Sequence, residues 1–474
     1  MSDPFVVVGG DAAGLSAASK FAREAGDRDV VVLEKGDWIS YAYCGMPYFI
    51  EGRVERMADL LSLSPAEVAE RGIDLRRGHE VVGVSPERHV VRVRAGDEEF
   101  EQPYSRLLVA TGGRAVTGPL DVATLDGAFT LHDMDAAAAV DAYLTEPGTY
   151  DFDRIGVDHV DRDRVEHNAA LPAPETAAIV GGGYVGVEMA EALSERGLDV
   201  HLFQRSERVL PPFGRAVAER VEAELGDQGV TLHTGTPVEA LSGDDRVEAV
   251  AFGGECLPVD LAVVGVGIRP NVDLLSGTAV DLGPGGAIEV DDYGRTNLPD
   301  VYAAGDCATA RHAVTGDSAW VPLGLTANRA GRAVGATVAG DPTPVGSIAG
   351  TAVLKAFDLG AGRVGLLEEG AAREAGFDPV RETITAGSRS GYYPGAAETD
   401  VTLVADRESG LLLGGSVVGT DRAAIRIDTL ATALGNEMTV AELERLDLAY
   451  APPFSPVWDP VLVAAKVLNG TLSE

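Results

Sequence analysis

The stretch Val6-Val7-Val8-Gly9-Gly10-Asp11-Ala12-Ala13-Gly14 joins a short apolar run to a glycine turn. A helical pattern over residues 15–25 follows, and a second apolar run over residues 30–33 ends at Glu34. A strand, a glycine turn, a helix, a strand and an acid in this order are typical of a unit that binds a dinucleotide. This stretch therefore predicts an α/β dinucleotide-binding domain.

The same pattern recurs near residue 180. The apolar residues 177–180 lead into Gly181-Gly182-Gly183-Tyr184-Val185-Gly186, and a predicted helix to about residue 196 precedes a strand over residues 200–203. Glycines let the backbone approach a pyrophosphate that sits at the helix N-terminus. The second copy fits G-x-G-x-x-G fully, whereas Asp11 replaces the middle glycine of the first. Glu34, 20 residues after Gly14, supports the first copy, because an acid there can bind ribose hydroxyls. Two units predict two dinucleotides.

Composition and charge exclude several classes of protein. A length of 474 residues predicts about three domains. The 74 acidic and 38 basic residues give a net charge of −36, which disfavours nucleic acid and anionic membranes as partners. So large a charge opposes compaction unless molar salt screens it, and only four basic residues are lysines, so we expect a halophilic protein. No apolar run is long enough for a membrane helix, and three cysteines without a CxxC pair predict a reducing cytoplasm.

Two further regions differ from the glycine units. From about residue 346, alternating segments such as 400–405 and 411–418 predict an antiparallel sheet, followed by helices near 422–434 and 440–446. The segment 146–175 is rich in aspartate and contains His159 and His167. A metal site is conceivable there, but the irregular spacing favours a solvated acidic insertion, and we predict no metal.

Three more motifs carry a resemblance to a known family. The segments 107–113 and 297–306, the latter ending at Asp306, resemble the flavin-binding segments of the two-dinucleotide-binding flavoprotein reductases. The segment 264–271 resembles the one that closes their nicotinamide domain. The likeness covers nearly the whole chain. It implies two Rossmann-like domains, for FAD (residues 1–125 and 271–340) and NAD(P) (residues 126–270), and a C-terminal α+β dimerisation domain (residues 346–474).

The resemblance also implies which residues hold each cofactor. It assigns FAD to Gly9, Gly10, Asp11, Ala12, Ala13, Gly14, Glu34, Lys35, Val81, Ala110, Thr111, Gly112, Asp306 and Gly324. It assigns NAD(P)H to Gly181, Gly182, Gly183, Tyr184, Val185, Gly186, Gln204, Arg205, Arg208 and Gly267. Tyr184 resembles the tyrosine that covers the flavin until nicotinamide displaces it. Gln204 stands where an NAD site carries an acid, and Arg205 and Arg208 can bind a phosphate, which favours NADPH over NADH.

Cys44 follows the first unit in the run Cys44-Gly45-Met46-Pro47-Tyr48. A free cysteine is often only a small buried hydrophobe, but this one occupies the position of the family's redox-active sulfur. The run resembles the single-cysteine branch: coenzyme A-disulfide reductases, NADH oxidases and NADH peroxidases. Phe49 stands where the dithiol branch has its second cysteine, which excludes a dithiol mechanism. Cys44 can then pass through a sulfenic acid or form a mixed disulfide. Ala12 replaces the histidine of the oxidases and peroxidases, which favours the disulfide reductase.

Substrate and dimer contacts complete the prediction. Ser16, Lys20 and Arg23 share one helix face, where basic groups can cradle coenzyme A phosphates, or simply be solvated. The resemblance implies that this face lines the substrate channel together with Ser40. Tyr43, which replaces the asparagine of some family members, and Asn328 are also assigned to the substrate site. Tyr450 and Tyr392 match tyrosines that reach the partner subunit's active site, where a phenol can protonate a departing thiolate; aromatic packing is the alternative. Cys256 and Cys307 are predicted to be structural.

The sequence thus predicts a homodimeric, cytoplasmic flavoprotein similar to coenzyme A-disulfide reductase, with FAD and with NADPH or NADH as electron donor. The alternatives are an NAD(P)H oxidase or peroxidase, a polysulfide reductase on the same scaffold, and a redox-sensing partner protein without catalysis.

Overall fold

The computed structural model describes residues 3–120 and 122–473, which fold as a mixed α/β protein. The helices of this part of the chain are α1 (Ala12–Glu24), α2 (Met46–Glu51), α3 (Pro65–Glu70), α4 (Met134–Tyr143), α5 (Arg162–Ala169), α6 (Tyr184–Glu195), α7 (Arg215–Asp227), α8 (Gly324–Ala339), α9 (Glu369–Glu374), α10 (Ile427–Gly435), α11 (Val440–Leu443) and α12 (Pro460–Leu472).

The strands are β1 (Phe5–Val8), β2 (Val30–Leu33), β3 (Asp74–Arg76), β4 (Glu80–Ser85), β5 (Val90–Ala95), β6 (Glu98–Pro103), β7 (Arg106–Val109), β8 (Gly113–Ala115), β9 (Ala128–Phe129), β10 (Thr176–Val180), β11 (Asp199–Gln204), β12 (Thr231–Thr234), β13 (Val238–Ser242), β14 (Ala249–Phe252), β15 (Glu255–Pro258), β16 (Leu261–Val264), β17 (Ile268–Pro270), β18 (Val301–Ala303), β19 (Ala310–Arg311), β20 (Ser318–Ala319), β21 (Ala352–Ala356), β22 (Leu359–Gly365), β23 (Pro379–Gly387), β24 (Glu398–Asp406) and β25 (Leu412–Gly419).

The first sheet is parallel, with the strand order β18-β7-β1-β2-β3. Strand β1 is fully buried, as expected for a parallel strand covered on both faces. Because β18 joins this sheet after more than 170 intervening residues, the chain returns to the first unit once the second is complete. Helix α8 then packs on α1 so closely that a Cβ at Gly331 would lie 2.0 Å from the Ala13 carbonyl oxygen.

The second sheet repeats the first. Its order is β12-β11-β10-β16-β9, again parallel throughout, and β10 leads through the second glycine turn into α6. The three-stranded antiparallel sheets β4-β5-β6 and β13-β14-β15 are added to the first and second unit respectively. The α/β fold class predicted from the two glycine turns is confirmed, while the domain boundaries remain a prediction.

The C-terminal residues form a separate antiparallel sheet of order β21-β22-β25-β24-β23, with α10, α11 and α12 packed on it. Two predicted helices are shorter than the pattern indicated. The first begins at Ile427 after a single 3-10 turn over Ala424–Arg426, and the second ends at Leu443. Among the described residues, no helix is long and apolar enough to cross a membrane.

Candidate active site

The two glycine turns have nearly the same backbone geometry. Gly9 and Gly181 have φ angles of 110° and 113°, which L side chains rarely adopt. A Cβ at Gly14 or Gly186 would lie 1.9 Å or 1.8 Å from the carbonyl oxygen of the first glycine of its own turn. Both turns therefore require glycine at these places, and each leaves bare backbone at a helix N-terminus, as a pyrophosphate needs.

Asp11 departs from the glycine pattern without strain. Its φ of −118° is extended backbone that any residue adopts, so the middle glycine is dispensable there. The carboxylate accepts a hydrogen bond from the Tyr41 amide at 3.0 Å. Burial raises the pKa of Asp11 to about 7, and the nearby carboxylates of Glu34 and Asp306 add to the shift. Near neutral pH, Asp11 therefore does not hold a full negative charge beside the turn.

In each dinucleotide unit, the side chain at the end of the second strand accepts a hydrogen bond from an amide of the glycine turn. Glu34 accepts hydrogen bonds from the amides of Gly10 at 2.7 Å and Gly36 at 2.8 Å. Its counterpart Gln204 accepts from the Gly182 amide at 3.3 Å. The predicted acid position is thus occupied in both copies, by a carboxylate in the first and by a neutral amide in the second.

Asp306 follows β18 at the carboxyl end of the first sheet. Burial raises its pKa, and its carboxylate accepts no hydrogen bond from the residues that the structure describes. A shielded carboxylate without a protein donor fits the hydroxyl groups of a ribityl chain. Together with the first glycine turn and Glu34, it makes these residues fit FAD.

The other residues assigned to FAD lie in several environments. Ala110, Thr111 and Gly112 follow β7 beside β18, and the Thr111 hydroxyl donates to the Asn271 carbonyl oxygen at 2.6 Å. Val81 is buried in the core beneath the first sheet, Lys35 is exposed, and Gly324 is exposed at the start of α8.

Cys44 lies in a 3-10 turn over Tyr43–Gly45, directly before α2. The residue is exposed, but burial of its thiol raises its pKa, and the carboxylates of Glu188 and Asp306 raise it further. These two carboxylates belong to the second and first dinucleotide unit respectively. Cys44 therefore lies where the two units meet.

Sequence reasoning missed Glu188 and Tyr48. Burial raises the pKa of Glu188 to about 7 and that of Tyr48 to about 12, and the Glu188 carboxylate adds to the shift of Tyr48. Tyr48 is four residues after Cys44, and Glu188 is two residues after Gly186. These short separations from Cys44 and from the second glycine turn are the features of the sequence that could have indicated both residues. A carboxyl group with a pKa near 7 near the Cys44 thiol can hold or release a proton in the neutral range.

Of the residues predicted to bind substrate, Ser16 and Asn328 contact each other. The Ser16 hydroxyl on α1 donates to the Asn328 side chain on α8 at 2.7 Å. Lys20 forms an ion pair with Glu24 one turn later, and Arg23 is exposed. Ser40 has a positive φ of 49°.

Tyr43, the remaining substrate candidate, lies beside Cys44. Its hydroxyl is 2.6 Å from the Tyr41 hydroxyl, and the ring centroids of the two tyrosines are 4.5 Å apart.

The predicted phosphate contacts of the second unit differ from each other. The Arg208 guanidinium is held by Glu222 at 2.6 Å and by Glu219 at 2.9 Å. Arg205 is exposed and forms no ion pair with the described residues. Arg205 is therefore the better placed of the two for a ligand phosphate. Val185 lies beside the turn, and Gly267 has a φ of 126°.

Tyr392 and Tyr450 lie on the surface of the C-terminal domain, 78% and 48% exposed. The single chain does not bring either of them to Cys44. Phe454, Val457 and Trp458 are exposed as well, at 59%, 64% and 54%.

The acidic segment 146–175 folds around the end of α2. Its acidic side chains are exposed, as predicted, but Ile155 and Val165 are buried and α5 lies within it. Arg154 of this segment pairs with the fully buried Asp141 of α4 and donates to the Phe49 carbonyl oxygen at 3.1 Å. No group of three or more histidine, cysteine or acidic residues in the described ranges is arranged to hold a metal ion.

Comparison with known proteins gives the family. The chain matches the pyridine nucleotide-disulphide oxidoreductase family over residues 3–332 and the dimerisation domain of that family over residues 351–460. The chain belongs to this family. It is an oxidoreductase that uses FAD and NAD(P)H, and the fit of the first glycine turn, Glu34 and Asp306 to FAD agrees with that assignment.

Relatives of this chain cover nearly its whole length. An NAD(P)H coenzyme A polysulfide/persulfide reductase of Pyrococcus horikoshii is 36% identical over 472 residues, which is 99% of both chains. A coenzyme A disulfide reductase of Staphylococcus aureus is 30% identical over 454 residues, 95% of this chain and 96% of the other. The solved structure of an NAD-dependent persulfide reductase from A. fulgidus superposes with a TM-score of 0.90 at 31% identity, covering 99% of this chain and 84% of that one.

Proposed function

We propose that this protein reduces coenzyme A disulfide, or a similar small disulfide, with electrons from NAD(P)H through the single redox-active cysteine Cys44. One observation carries the proposal: besides burial, the carboxylates of Glu188 in the second unit and Asp306 in the first both raise the pKa of the Cys44 thiol, so groups from both dinucleotide units act on this sulfur. Phe49 stands where the dithiol branch has its second cysteine and Cys307 is buried, which supports a mechanism with Cys44 as the one reacting sulfur.

The sulfur chemistry follows from a single thiol. FAD, when bound, supplies the two electrons that NAD(P)H delivers as hydride. The Cys44 thiolate attacks one sulfur of the substrate disulfide, which breaks the S–S bond and releases the first thiol as its thiolate. The mixed disulfide left on Cys44 then takes up two electrons and a proton, which releases the second thiol and restores the Cys44 thiolate. One NAD(P)H and one proton thus yield two thiols.

The residues around Cys44 favour its neutral form, because burial and two carboxylates raise its pKa. The Tyr48–Glu188 pair gives the site a group that exchanges protons near pH 7. We propose that Glu188 and Tyr48 take the proton from Cys44 and return it to the departing thiol. Tyr450 and Tyr392 of a second copy of this chain would reach the same place in a homodimer, whose contact surface includes the exposed aromatic residues of the C-terminal domain.

Coenzyme A binding is proposed along α1. The hydrogen bond between Ser16 and Asn328 connects α1 to α8, and Lys20 and Arg23 lie about one and two turns beyond Ser16. The exposed guanidinium of Arg23 can form bidentate contacts to phosphate. Lys20 shares its charge with Glu24, so Arg23 would bear most of the interaction.

We also propose that NADPH is preferred to NADH. Gln204 places a neutral amide where a carboxylate would repel a 2′-phosphate, and the exposed Arg205 follows it. Because Arg208 is held by two glutamates, this preference depends mainly on Gln204 and Arg205.

A second candidate function is the reduction of coenzyme A persulfide or polysulfide. The 36% identity to the P. horikoshii polysulfide/persulfide reductase favours it, because both substrates need one nucleophilic sulfur and a coenzyme A site. The net charge of −36 with four lysines further leads us to propose that the protein works in a cytoplasm of high ionic strength.

The test is anaerobic turnover of the FAD-loaded protein with NADPH against coenzyme A disulfide, other small disulfides and polysulfide, run beside aerobic assays for peroxide. Fastest turnover of a coenzyme A-linked sulfur substrate supports the proposal. Turnover of dioxygen alone, without thiol release from any substrate, would contradict it.

A further inference from the structure

Tyr392 lies on the connection between β23 and β24, residues 388–397, which we call the Tyr392 loop. The loop is closed at its base, where the Ser388 amide donates to the Ala397 carbonyl oxygen at 2.7 Å and the Ala397 amide donates to the Ser388 hydroxyl at 3.1 Å. Ser388 is fully buried, and its hydroxyl donates to the Asp421 carboxylate at 2.6 Å. The base of the Tyr392 loop is thus fixed to the turn that follows β25.

Tyr450 lies on residues 450–459, the Tyr450 segment, which leads into α12. The Ser455 amide donates to the Ala451 carbonyl oxygen at 3.0 Å, so a turn follows the tyrosine directly. The buried Ser455 hydroxyl donates to one carboxylate oxygen of Asp459 at 3.1 Å, and the other oxygen accepts a hydrogen bond from an amide in the first turn of α12 at 3.0 Å. Asp459 therefore fixes the Tyr450 segment to this helix.

Arg426 connects the Tyr392 loop to the Tyr450 segment. The residue is 8% exposed and ends the 3-10 turn before α10. Its Nε atom donates to the Asp459 carboxylate at 2.9 Å, one terminal nitrogen donates to the Ser388 carbonyl oxygen at 2.6 Å, and the other donates to the Arg422 carbonyl oxygen at 3.1 Å. One guanidinium thus binds the base of the loop, the end of the segment and the turn after β25.

The turn after β25 makes two further contacts of the same kind. Arg389 of the Tyr392 loop forms an ion pair with Asp421, in which its Nε atom donates at 2.7 Å. The guanidinium carbon of Arg422 lies 5.2 Å from the ring centroid of Phe454 in the Tyr450 segment. Two adjacent residues of one turn therefore contact the two tyrosine-bearing pieces of chain, on either side of the Arg426 contacts.

These contacts fix geometry more than they add stability. Desolvation offsets much of the attraction within a buried ion pair, so such a pair contributes little net free energy of folding. The planar guanidinium, in contrast, holds its acceptors in fixed directions. The acceptors of Arg426 include residues 38 positions before it and 33 positions after it. The main consequence of this arginine is therefore where the Tyr392 loop and the Tyr450 segment lie relative to each other.

We propose that Arg426 is the positioning residue for Tyr392 and Tyr450, and that through them it acts on the active site of the partner subunit rather than on that of its own chain. The inference rests on the proposed function, in which both tyrosines of a second copy reach Cys44. Loss of Arg426 should slow the protonation of the departing thiolate. Hydride transfer should continue, because Arg426 forms no hydrogen bond with either dinucleotide unit in the described part of the chain.

The first measurement is turnover of the FAD-loaded dimer with NADPH and coenzyme A disulfide at high salt. Arg426→Met should lower kcat about tenfold, part of the roughly 10²–10⁴-fold that a positioned acid contributes, with a smaller change in KM. NADPH should still bleach the flavin anaerobically at the wild-type rate. Arg426→Lys keeps a charge for Asp459 and should restore part of kcat. The control is Arg381→Met: Arg381 of β23 donates to the Leu367 carbonyl oxygen at 2.6 Å and to neither tyrosine-bearing piece, so kcat should stay within about twofold.

Hybrid dimers show in which subunit Arg426 acts. A Cys44→Ser chain and an Arg426→Met chain carry different affinity tags, and mixed dimers are isolated through both tags. One of the two sites then combines the intact Cys44 of the Arg426→Met chain with the intact tyrosines of the Cys44→Ser chain. The hybrid should regain about half of the wild-type turnover, since one of two equivalent sites is complete. If Arg426 served its own chain, the hybrid would show at most about half the turnover of the Arg426→Met dimer.

Asp459→Asn supplies a milder variant if Arg426→Met fails to fold or to dimerise. It keeps the oxygen that caps α12 and removes the charge that Arg426 binds, so it should lower kcat and recover in the same hybrid. Hybrids that regain no turnover would overturn the inference, as would an unchanged kcat in both Arg426→Met and Asp459→Asn.

The double variant Tyr392→Phe/Tyr450→Phe separates this inference from the proposed function. If the double variant turns over at the wild-type rate, the proposed role of the tyrosines fails and the inference fails with it. If its hybrid with Cys44→Ser regains turnover while the hybrid with Arg426→Met does not, the tyrosines act in the partner subunit and only the role of Arg426 is wrong.

Discussion

Replacing Asp141 by asparagine should loosen the end of α2, the helix that follows Cys44. The Asp141 side chain is 0% exposed and pairs with Arg154 and Arg196, each at 3.0 Å. The Tyr150 hydroxyl also donates to it at 3.1 Å. Both arginines donate in turn to carbonyl oxygens at the end of α2, at 3.1 Å and 2.7 Å. One carboxylate therefore fixes two cations that terminate this helix.

The expected loss follows from the charges. At an effective dielectric constant of about 20, unit charges about 4 Å apart attract by about 4 kcal/mol. Removing only the buried carboxylate leaves two arginines without an anion, which typically costs about 3–5 kcal/mol. Because the Arg154 and Arg196 side chains are 26% and 22% exposed, water solvates them in part. We therefore expect about 3 kcal/mol, or roughly 6–12 °C in the melting temperature of the affected domain.

The assay is thermal unfolding followed by ellipticity, compared as midpoints because a chain of several domains does not unfold in one step. Reaction of Cys44 with a chromogenic disulfide provides a second measurement, in a Cys256→Ser background that removes the other exposed thiol. Asp141→Asn should accelerate this reaction. The control is Glu166→Gln, which breaks an exposed pair with Arg162 and should cost at most about 0.5 kcal/mol. Equal midpoints and equal thiol reactivity in the two variants would refute the reasoning.

Three further predictions concern the pH dependence, the nicotinamide and salt. Ionisation of Glu188, whose pKa is about 7, raises the pKa of the Cys44 thiol, so Glu188→Gln should shift the alkylation profile of Cys44 toward lower pH. Glu195→Gln on the same helix should leave the profile in place, and an unmoved profile in Glu188→Gln would count against the coupling. Gln204→Glu should shift kcat/KM toward NADH about tenfold, mainly through a higher KM for NADPH; a wild-type enzyme that already prefers NADH, with a ratio untouched by the substitution, would contradict this. The charge of −36 predicts loss of ellipticity and release of flavin fluorescence when salt is diluted, and full activity at low ionic strength would argue against a halophilic protein.

Local patterns predicted the parts of the molecule that depend on neighbouring residues. The glycine turns, Glu34 and the strands on either side could be located because a dinucleotide unit fixes them within about thirty residues. Asp11 was an apparent exception in sequence. Its φ of −118° explains why a side chain is tolerated at that position, and only the backbone geometry could show this.

Contacts between distant segments were not predictable in the same way. Asp141 lies 55 residues from Arg196, and Ser16 lies 312 residues from Asn328. Such pairs depend on how separately folded units pack, and no periodicity in one strand or helix encodes them. The acidic segment illustrates both cases, since its exposed acids follow from composition while the role of Arg154 depends on the tertiary fold.

The central claim, that a single sulfur at Cys44 reduces the substrate, is tested most directly by Cys44→Ser, with Cys256→Ser as the matched control. In anaerobic solution at high salt, NADPH should still bleach the flavin of Cys44→Ser, because hydride transfer precedes the sulfur step. Thiol release from coenzyme A disulfide and from polysulfide should vanish in Cys44→Ser and persist in Cys256→Ser. Thiol release by Cys44→Ser at near the wild-type rate would contradict the mechanism.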